Sequence, residues 1–233
     1  MAAKGGGPVD SVCAANPAEA AAGLLIPFLE RIDLREGQAR LAVAGGSAAA
    51  ALGAVRRGLG PGVWSRLQLT WVDERCVPFH DPQSNRGAAH RAGLLDAQDP
   101  PGLELPLYLD GETPLEACAR VARALGGPFR GGLDALLLGM GEDGHIASLF
   151  PGRPFDRIGH PPVFPVPDSP KPPRRRITLA LSLLASAECA VLVAAGAAKR
   201  GALERLAAGD PALPASALRN LVAVSDGCAD RVH

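Results

Sequence analysis

The sequence has few aromatic residues and no excess of either charge. Aromatic residues make up 4% of its 233 residues, so the core must be built from the Ala, Val, Leu and Ile of its 47% hydrophobic content. Lys and Arg together number 24, Asp and Glu also number 24, and the formal net charge is zero. A chain without a positive excess lacks the long-range attraction by which proteins bind nucleic acids or anionic membranes. We therefore expect neither as a partner.

The five cysteines form no CxxC pair and stand at no zinc-finger spacing from a histidine. HxH and HExxH motifs are also absent, so no metal site is expected. An odd, scattered set of cysteines argues against a disulfide framework and for a reducing compartment. The first residues, Met1–Pro8, lack the apolar segment of a signal peptide. These absences predict a cytoplasmic protein.

One stretch is long and apolar enough to raise the question of a membrane span. Across residues 177–198 the single charge is Glu188, and a charge near the centre of a bilayer is costly. The stretch divides better into a strand at Ile177–Leu181, a turn, and a second strand at Ala190–Ala195.

Apolar runs alternate with helical periodicity, which predicts an α/β domain. We expect residues 1–15 to be a flexible N-terminus and residues 16–233 to form a single domain. Its sheet should be mostly parallel with helices on both faces, because strands and helices alternate. The predicted helices are Asn16–Arg35 with Asn16 as N-cap, an Ala-rich helix from Ser47 to about Arg57, one from Ser84 to about Leu95, Thr113–Leu125, and one from Ala197. The predicted strands are Arg40–Ala44, Leu67–Val72, Leu133–Leu138, Ile177–Leu181, Ala190–Ala195 and Leu221–Ser225. Pro151–Pro173 is predicted to be a long functional loop.

Four of the predicted strands end in polar or glycine-rich loops. These are Gly45–Ser47, Asp73–Arg75, Gly139–His145 and Gly196–Lys199. In open parallel sheets, ligands bind in the crevice beyond the carboxyl ends of the strands. We therefore expect the four loops to converge on one rim that holds the functional site.

Two interpretations of Gly45–Ser47 stand side by side. As a phosphate site, its glycines let the backbone approach the ligand, and the following helix offers free N–H groups at its N-terminus. As a tight turn, it would need Ser47 only as an N-cap. The candidate cations for a phosphate are Arg75, Arg176 and Lys199, because Arg binds phosphate bidentately and Lys adds a point charge. Lys199 stands out, since the helix dipole disfavours a cation in the first turn.

Residues Gly139–Gly144 match the GxGxxG pattern of dinucleotide-binding turns, which makes a cofactor site a competing hypothesis. Against it, Glu142 and Asp143 would set carboxylates against a pyrophosphate, and Pro151 shortens any following helix. No strand ending in an acid lies about 20 residues further on. We therefore expect no nucleotide cofactor.

His145 ends this loop and is the candidate general base. A neutral imidazole accepts a proton at physiological pH, and the carboxylate of Asp143 can orient it. The alternative is a histidine that only caps a helix. A serine nucleophile is not expected, because Ser47 and Ser148 lack the GxSxG elbow.

Taken in order, the motifs resemble those of the 6-phosphogluconolactonase family, within the wider sugar-phosphate isomerase/deaminase superfamily. The resemblance runs from Leu41 to about Val232. It is carried by Ala44–Ser47, Trp71–Pro78, Ser84–Asn85, Leu138–Pro151, Asp168–Pro173, Arg176–Leu179, Gly196–Lys199 and Leu213–Ser216. It implies a modified Rossmann-like α/β fold with neither metal nor organic cofactor. It also implies hydrolysis of 6-phospho-D-glucono-1,5-lactone to 6-phosphogluconate, in the oxidative pentose phosphate pathway.

The resemblance also separates this chain from the isomerases and deaminases. Those relatives carry a Glu, used in opening the sugar ring, where this chain has Phe150, and a phenyl ring cannot transfer protons. Two positions depart from the family pattern, because Gln83 and Arg86 replace an Asp and a Tyr. The departures put in doubt any substrate contact made there.

The resulting hypothesis makes His145 the general base, with Asp143 orienting it and Arg75 or backbone N–H groups stabilising the oxyanion. The residues expected to bind the substrate or its phosphate are Gly45, Gly46, Ser47, Asp73, Asn85, Gly141, Arg176 and Lys199. The expected ligand is a small phosphorylated sugar lactone, bound by a monomer or weak homodimer. The alternatives are an isomerase or deaminase of the same superfamily, a non-catalytic sugar-phosphate-binding protein, and a Rossmann oxidoreductase.

Overall fold

The computed structural model describes residues 9–154 and 161–227. Its strands are β1 (Asp10–Cys13), β2 (Arg40–Val43), β3 (Gln68–Trp71), β4 (Asp73–Arg75), β5 (Leu103–Leu105), β6 (Ala135–Gly139), β7 (Val163–Val166), β8 (Arg176–Leu179), β9 (Cys189–Ala194) and β10 (Leu221–Ser225). Its helices are α1 (Pro17–Glu36), α2 (Ser47–Gly58), α3 (Pro61–Trp64), α4 (Asn85–Arg91), α5 (Pro114–Gly126), α6 (Leu181–Leu184) and α7 (Arg200–Ala207). Two short 3₁₀ turns cover Ala197–Lys199 and Pro214–Ala217.

Seven strands form one parallel sheet in the order β1-β10-β9-β6-β2-β3-β5. The central strands β6 and β9 are buried on both faces, as expected where helices cover a parallel sheet on both sides. This confirms the predicted α/β fold with a mostly parallel sheet. The remaining strands form a small antiparallel sheet in the order β4-β8-β7.

The helix boundaries follow from local capping chemistry. The side chain of Asn16 accepts a hydrogen bond from the backbone of Glu19 at 3.3 Å, which confirms it as the N-cap of α1. Helix α5 begins with a capping box in which Thr113 and Glu116 bond each other's backbone N–H groups. Helix α4 ends at Arg91 and is shorter than predicted, because Gly93 follows in the left-handed region at φ 67°.

A buried ion pair ties β2 to the segment that leads into β6. The carboxylate of Asp134 accepts hydrogen bonds from the backbone N–H of Arg40 at 2.7 Å and from its Nε at 2.8 Å. The Asp134 side chain is only 3% exposed. The pair therefore fixes the register of two central strands whose following loops build the site.

Three predicted irregular segments contain strands. Asp73–Arg75, predicted as a loop, forms β4 and pairs with β8. Val163–Val166, inside the predicted loop Pro151–Pro173, forms β7 and pairs with β8. Pro165 is tolerated because β7 is an edge strand, where a missing N–H costs no ladder bond. Asp10–Cys13, inside the predicted flexible N-terminus 1–15, forms β1 and pairs with β10. β1 depends on a partner distant in sequence, whereas β7 and β8 are joined by residues 167–175. Residues 1–8 and 155–160 lie outside the described residues.

The cysteines differ in part from expectation. Cys13 is disulfide-bonded, which departs from the prediction that the scattered cysteines carry no disulfide. Cys76, Cys118 and Cys189 are free thiols.

The apolar stretch at residues 177–198 is folded into the domain. It forms β8, α6 and β9 in succession, as the division into strand, turn and strand predicts. In the part of the chain that the structure describes, no helix is long and apolar enough to cross a membrane.

Candidate active site

The four loops predicted to share one rim follow neighbouring strands of the parallel sheet. β9, β6, β2 and β3 are adjacent, and their carboxyl ends lead into Gly196–Lys199, Gly139–His145, Gly45–Ser47 and Asp73–Arg75. The loops are also bonded across the sheet, since the hydroxyl of Ser47 donates to the carbonyl of Val193 at 3.2 Å. The sheet order therefore brings these loops together at one edge.

The turn after β6 folds His145 back over Gly141. The backbone N–H of Gly141 donates to the carbonyl of His145 at 2.8 Å, and Gly144 closes the turn in the left-handed region at φ 88°. A Cβ added at Gly141 would lie 2.0 Å from Nδ1 of His145 and 2.4 Å from Oδ1 of Asp143. Gly141 thus leaves the space in which the imidazole and carboxylate meet.

His145 and Asp143 form a hydrogen-bonded pair with Nδ1 and Oδ1 only 2.6 Å apart. The imidazole packs on the ring of Phe150, with centroids 4.6 Å apart, and its side chain is 16% exposed. Burial lowers the pKa of His145 below its usual value, against the opposing effect of the Asp143 carboxylate. The imidazole is therefore neutral at pH 7.

The pair also fixes the tautomer of the imidazole. Burial alone would raise the pKa of Asp143, but the hydrogen bonds and charges of His145 and Lys171 outweigh it and lower the pKa to about 2. An ionised carboxylate only accepts, so Nδ1 of His145 must carry the proton. Nε2 then holds a lone pair, and no described residue donates to it. This is the arrangement of an oriented general base.

Behind the loop lies a buried polar cluster that joins three segments of the chain. Oδ2 of Asp73 accepts from the hydroxyl of Ser148 at 2.6 Å, and its Oδ1 accepts from the amide of Asn85 at 3.2 Å. Arg176 donates to the same Ser148 hydroxyl at 3.3 Å. The four residues are at most 5% exposed. Asp73 and Asn85, predicted to contact substrate, are thus hydrogen-bonded to each other within this cluster.

Arg176 is buried away from solvent, although the sequence makes it a phosphate candidate. Its Nε donates to the carbonyl of Pro173 at 3.0 Å, and one terminal nitrogen donates to the carbonyls of Lys171 and Pro172. With Ser148 as a further acceptor, one N–H remains, and its nitrogen lies 3.6 Å from Oδ2 of Asp73. The structure therefore sets Arg176 as the anchor of the 171–173 segment rather than on the open rim.

Arg75 is different, because its guanidinium keeps an unused donor. One terminal nitrogen donates to the carbonyl of Gln83 at 2.7 Å. Its Nε is the only buried side-chain nitrogen or oxygen of the described residues that lacks a hydrogen-bond partner. Arg75 also stands opposite Arg176 in the antiparallel register of β4 and β8. An unpaired N–H beside a second guanidinium favours a negatively charged oxygen of a ligand.

The predicted phosphate turn, Gly45–Ser47, leads into α2, whose N-terminus has no side-chain cap. Lys199 follows β9, two strands away from β2 in the same sheet. Gly46 is the N-cap of α2 at φ 66°, with no side-chain capping bond. A Cβ at Gly45 would clash with the side chain of Asn85, at 2.0 Å, so the turn and α4 pack closely. Lys199 is half-buried at the N-cap of α7, and no described acid pairs with it.

Glu74 and Arg86 are structural residues whose roles the sequence did not reveal. The Glu74 carboxylate accepts from the backbone N–H groups of Asn85 and Arg86, both at 2.8 Å, and so caps α4. Arg86 makes two hydrogen bonds to Glu104 and lies over the ring of Phe79 at 4.7 Å. Arg86, which departs from the family pattern, therefore joins α4 to Glu104 and Phe79.

The GxGxxG match does not continue as a dinucleotide site. The turn Gly139–Gly144 is followed by a bridge between Ile146 and Leu149 instead of a helix. Without that helix, the turn lacks the N-terminus that binds a pyrophosphate. Within residues 9–154 and 161–227, no group of His, Cys, Asp and Glu side chains could hold a metal ion.

A family model described as glucosamine-6-phosphate isomerases/6-phosphogluconolactonase matches residues 14–224. The chain belongs to this family. It is 39% identical over 163 residues to a rat 6-phosphogluconolactonase, a match that covers 67% of this chain and 63% of the rat protein. It is 34% identical over 211 residues to that of Caulobacter vibrioides, covering 86% of both. The rat match spans less than two thirds of that relative's length.

The fold agrees with this membership. A solved structure of the 6-phosphogluconolactonase from Trypanosoma brucei superposes with a TM-score of 0.76 at 22% identity, covering 97% of this chain and 99% of that one. Its likeness establishes the fold alone. The residues that separate lactonases from isomerases must therefore be judged from the site itself.

Proposed function

We propose that this protein hydrolyses 6-phospho-D-glucono-1,5-lactone to 6-phosphogluconate in the oxidative pentose phosphate pathway. The proposal is carried by one observation: Nε2 of His145 is free to accept a proton, while Nδ1 is held by Asp143 at 2.6 Å. A lactone is an activated ester, so an oriented base and a positioned substrate suffice for its hydrolysis. The curated relatives bear the same activity in their names.

In the proposed reaction, Nε2 of His145 takes a proton from water as the water oxygen bonds to the lactone carbonyl carbon. Asp143 stabilises the imidazolium that forms. The tetrahedral intermediate then breaks the bond between that carbon and the ring oxygen, which receives the proton from His145. The products are the open-chain hydroxyl and a carboxylic acid, which ionises at neutral pH.

We expect hydrogen-bond donors of the protein to bind the two negatively charged groups of the reaction, the 6-phosphate and the oxyanion. We expect the N-terminus of α2, beginning at Gly46, and the ammonium of Lys199 to bind the 6-phosphate. The guanidinium of Arg75 is expected to stabilise the oxyanion. Asp73, Asn85 and the buried Arg176 support these loops from behind. Comparison of phosphorylated and plain lactone tests the Arg75 assignment, since Arg75→Met should slow both, and slowing of the phosphorylated lactone alone would contradict it.

Phe150 favours the lactonase over the isomerase or deaminase alternative. Its ring is 3% exposed and packs on His145, where it excludes water and offers no proton-transfer group. Ring opening and amine release need such a group near the sugar. Lactone hydrolysis requires only water and a base, so it does not need a proton-transfer group at position 150.

The setting of the reaction completes the proposal. We expect the enzyme to work in the cytoplasm as a monomer or weak homodimer. Sedimentation at micromolar concentration tests the second statement, and a tight higher oligomer would contradict it.

The test of the function is a coupled assay. Glucose-6-phosphate dehydrogenase generates the lactone in place, and the appearance of 6-phosphogluconate is compared with its spontaneous formation. We expect the protein to accelerate hydrolysis well above the spontaneous rate and to leave glucosamine 6-phosphate unchanged. No acceleration, or release of ammonia from the amino sugar, would contradict the proposal.

A further inference from the structure

The ammonium of Lys171 touches the same carboxylate oxygen that holds His145. Its Nζ lies 3.2 Å from Oδ1 of Asp143, and Nδ1 of His145 lies 2.6 Å from that oxygen. One carboxylate oxygen therefore joins an ammonium and an imidazole. Lys171 has no part in the proton transfer described above.

An ion pair this exposed is usually worth little, because water screens it and a long side chain must be ordered. The Lys171 side chain is 43% exposed and that of Asp143 is 39% exposed. Its importance therefore depends on whether the backbone that carries Lys171 is fixed.

The backbone of Lys171 is fastened on both sides. Its carbonyl accepts from the hydroxyl of Ser169 at 2.9 Å and from Arg176 at 3.2 Å, and its N–H donates to Ser169 at 3.3 Å. The carbonyls of Pro172 and Pro173 also accept from Arg176. Arg176, which makes these hydrogen bonds, is itself buried at 3% exposure. The buried guanidinium of Arg176 thus binds the three successive carbonyls of residues 171–173 and fixes the position of this segment.

We propose that Lys171 is a positioning residue, whose ammonium holds the carboxylate of Asp143 beneath the imidazole of His145 while opposing protonation of that imidazole. The proposal rests on the lactonase function proposed above. Lys171 acts through Asp143, and its charge acts directly on His145 across the shared oxygen.

The sign of the charge effect follows from Coulomb's law. A cation beside an imidazole disfavours the imidazolium, and Lys171 accordingly lowers the pKa of His145, in the same direction as burial. Asp143 and Asp73 act in the opposite direction. Arg176 lies 5.8 Å from the centroid of the Phe150 ring that covers His145, and Glu142 adjoins Asp143 in the chain. Loss of the Lys171 charge should therefore make His145 easier to protonate.

The experiment compares Lys171→Met, which removes the charge at similar length, with Lys171→Arg, which keeps it. Arg153→Met is the matched control, because Arg153 forms a similarly exposed pair with Asp168 at 2.9 Å, 42% exposed on the Arg side. Two quantities are measured in each full-length variant: the NMR titration of His145 without substrate, and the pH dependence of kcat/KM for the lactone.

In Lys171→Met we expect the titration midpoint of His145 to move to higher pH. On the acid limb kcat/KM should fall about two- to fivefold, the range open to an exposed ion pair. Lys171→Arg should restore the wild-type midpoint, and Arg153→Met should not move it. An unchanged midpoint and profile in Lys171→Met, or an equal shift in Arg153→Met, would overturn the inference.

Failure of the proposed function gives a different result. If the wild-type protein does not hydrolyse the lactone, the function is wrong, and the titration of His145 in the variants still decides what Lys171 does. If the wild type hydrolyses the lactone but Lys171→Met keeps the wild-type titration midpoint and pH profile, the proposed function stands and the positioning role of Lys171 is wrong.

Discussion

Gly141→Ala is predicted to disable the site by steric means alone. The new Cβ would lie 2.0 Å from Nδ1 of His145 and 2.4 Å from Oδ1 of Asp143, whereas ordinary contacts begin at 3.4 Å. The imidazole must therefore shift by about 1.4 Å, the difference between the first and last of these distances. The φ of Gly141 is outside the left-handed region, so an Ala side chain brings no backbone strain of its own.

A misplacement of about 1 Å at a reacting group costs roughly 100-fold in rate. We therefore expect kcat of Gly141→Ala to fall about 100-fold, with a smaller change in KM because the phosphate-binding loops are untouched. Both parameters are measured by the coupled assay on freshly generated lactone. A crystal structure of the variant should show the His145 ring displaced from Asp143.

The matched control is Gly23→Ala. Gly23 lies in α1 with no atom within 4 Å of an added Cβ, so the same chemical change meets open space. Activity should stay at the wild-type level, and the free energy of unfolding should rise by about 0.5–1 kcal/mol because Ala favours a helix interior. Wild-type turnover by Gly141→Ala would refute the claim that the His145–Asp143 geometry carries the reaction.

Three further predictions concern phosphate binding by Lys199, the pH dependence of kcat/KM and the stability that the Asp134–Arg40 pair contributes. Lys199→Ala should raise KM for the phosphorylated lactone much more than for plain gluconolactone, and equal effects would rule out a phosphate role. Because burial lowers the pKa of His145 below its usual 6.5, and only the neutral imidazole accepts a proton, the midpoint of the acid-side decline in kcat/KM should lie below pH 6.5; a midpoint above 6.5 would contradict this. Asp134→Ala leaves Arg40 without its buried counterion and should lower the free energy of unfolding in urea by about 3–5 kcal/mol. A loss under about 1 kcal/mol would show that solvent already screens the pair.

The sequence predicts those features that local chemistry determines. Asn16 and Thr113 start their helices because their side chains bond the first free N–H groups, and both are recognisable from residue type and position. The loops at the carboxyl ends of neighbouring strands meet because parallel strands all point one way. Gly141 and His145 belong to one short turn, so their proximity is also a local property.

The features that the sequence did not predict depend on contacts between distant segments. The Asp73 and Ser148 side chains bond each other across 75 positions of the chain, and Arg176 joins them from a third segment. From the sequence alone, Asp73 and Arg176 are expected to contact the ligand, and nothing in the sequence indicates that they bond to Ser148. Their burial is decided by the small antiparallel sheet, which pairs β4 with β8 and leaves no local signal in either strand. The contact of Lys171 with Asp143 likewise depends on contacts between distant segments, because Arg176 anchors the backbone of Lys171.

The central claim, that His145 is the base of lactone hydrolysis, is tested most directly by turnover of His145→Asn. Asn removes the proton-accepting Nε2 but keeps a polar group near Asp143, and His80→Asn is the control at an exposed histidine. Turnover of fresh 6-phosphogluconolactone by His145→Asn should fall by about 10²–10⁴-fold, the usual contribution of a general base, while His80→Asn keeps the wild-type rate. Near-wild-type turnover by His145→Asn would contradict the account.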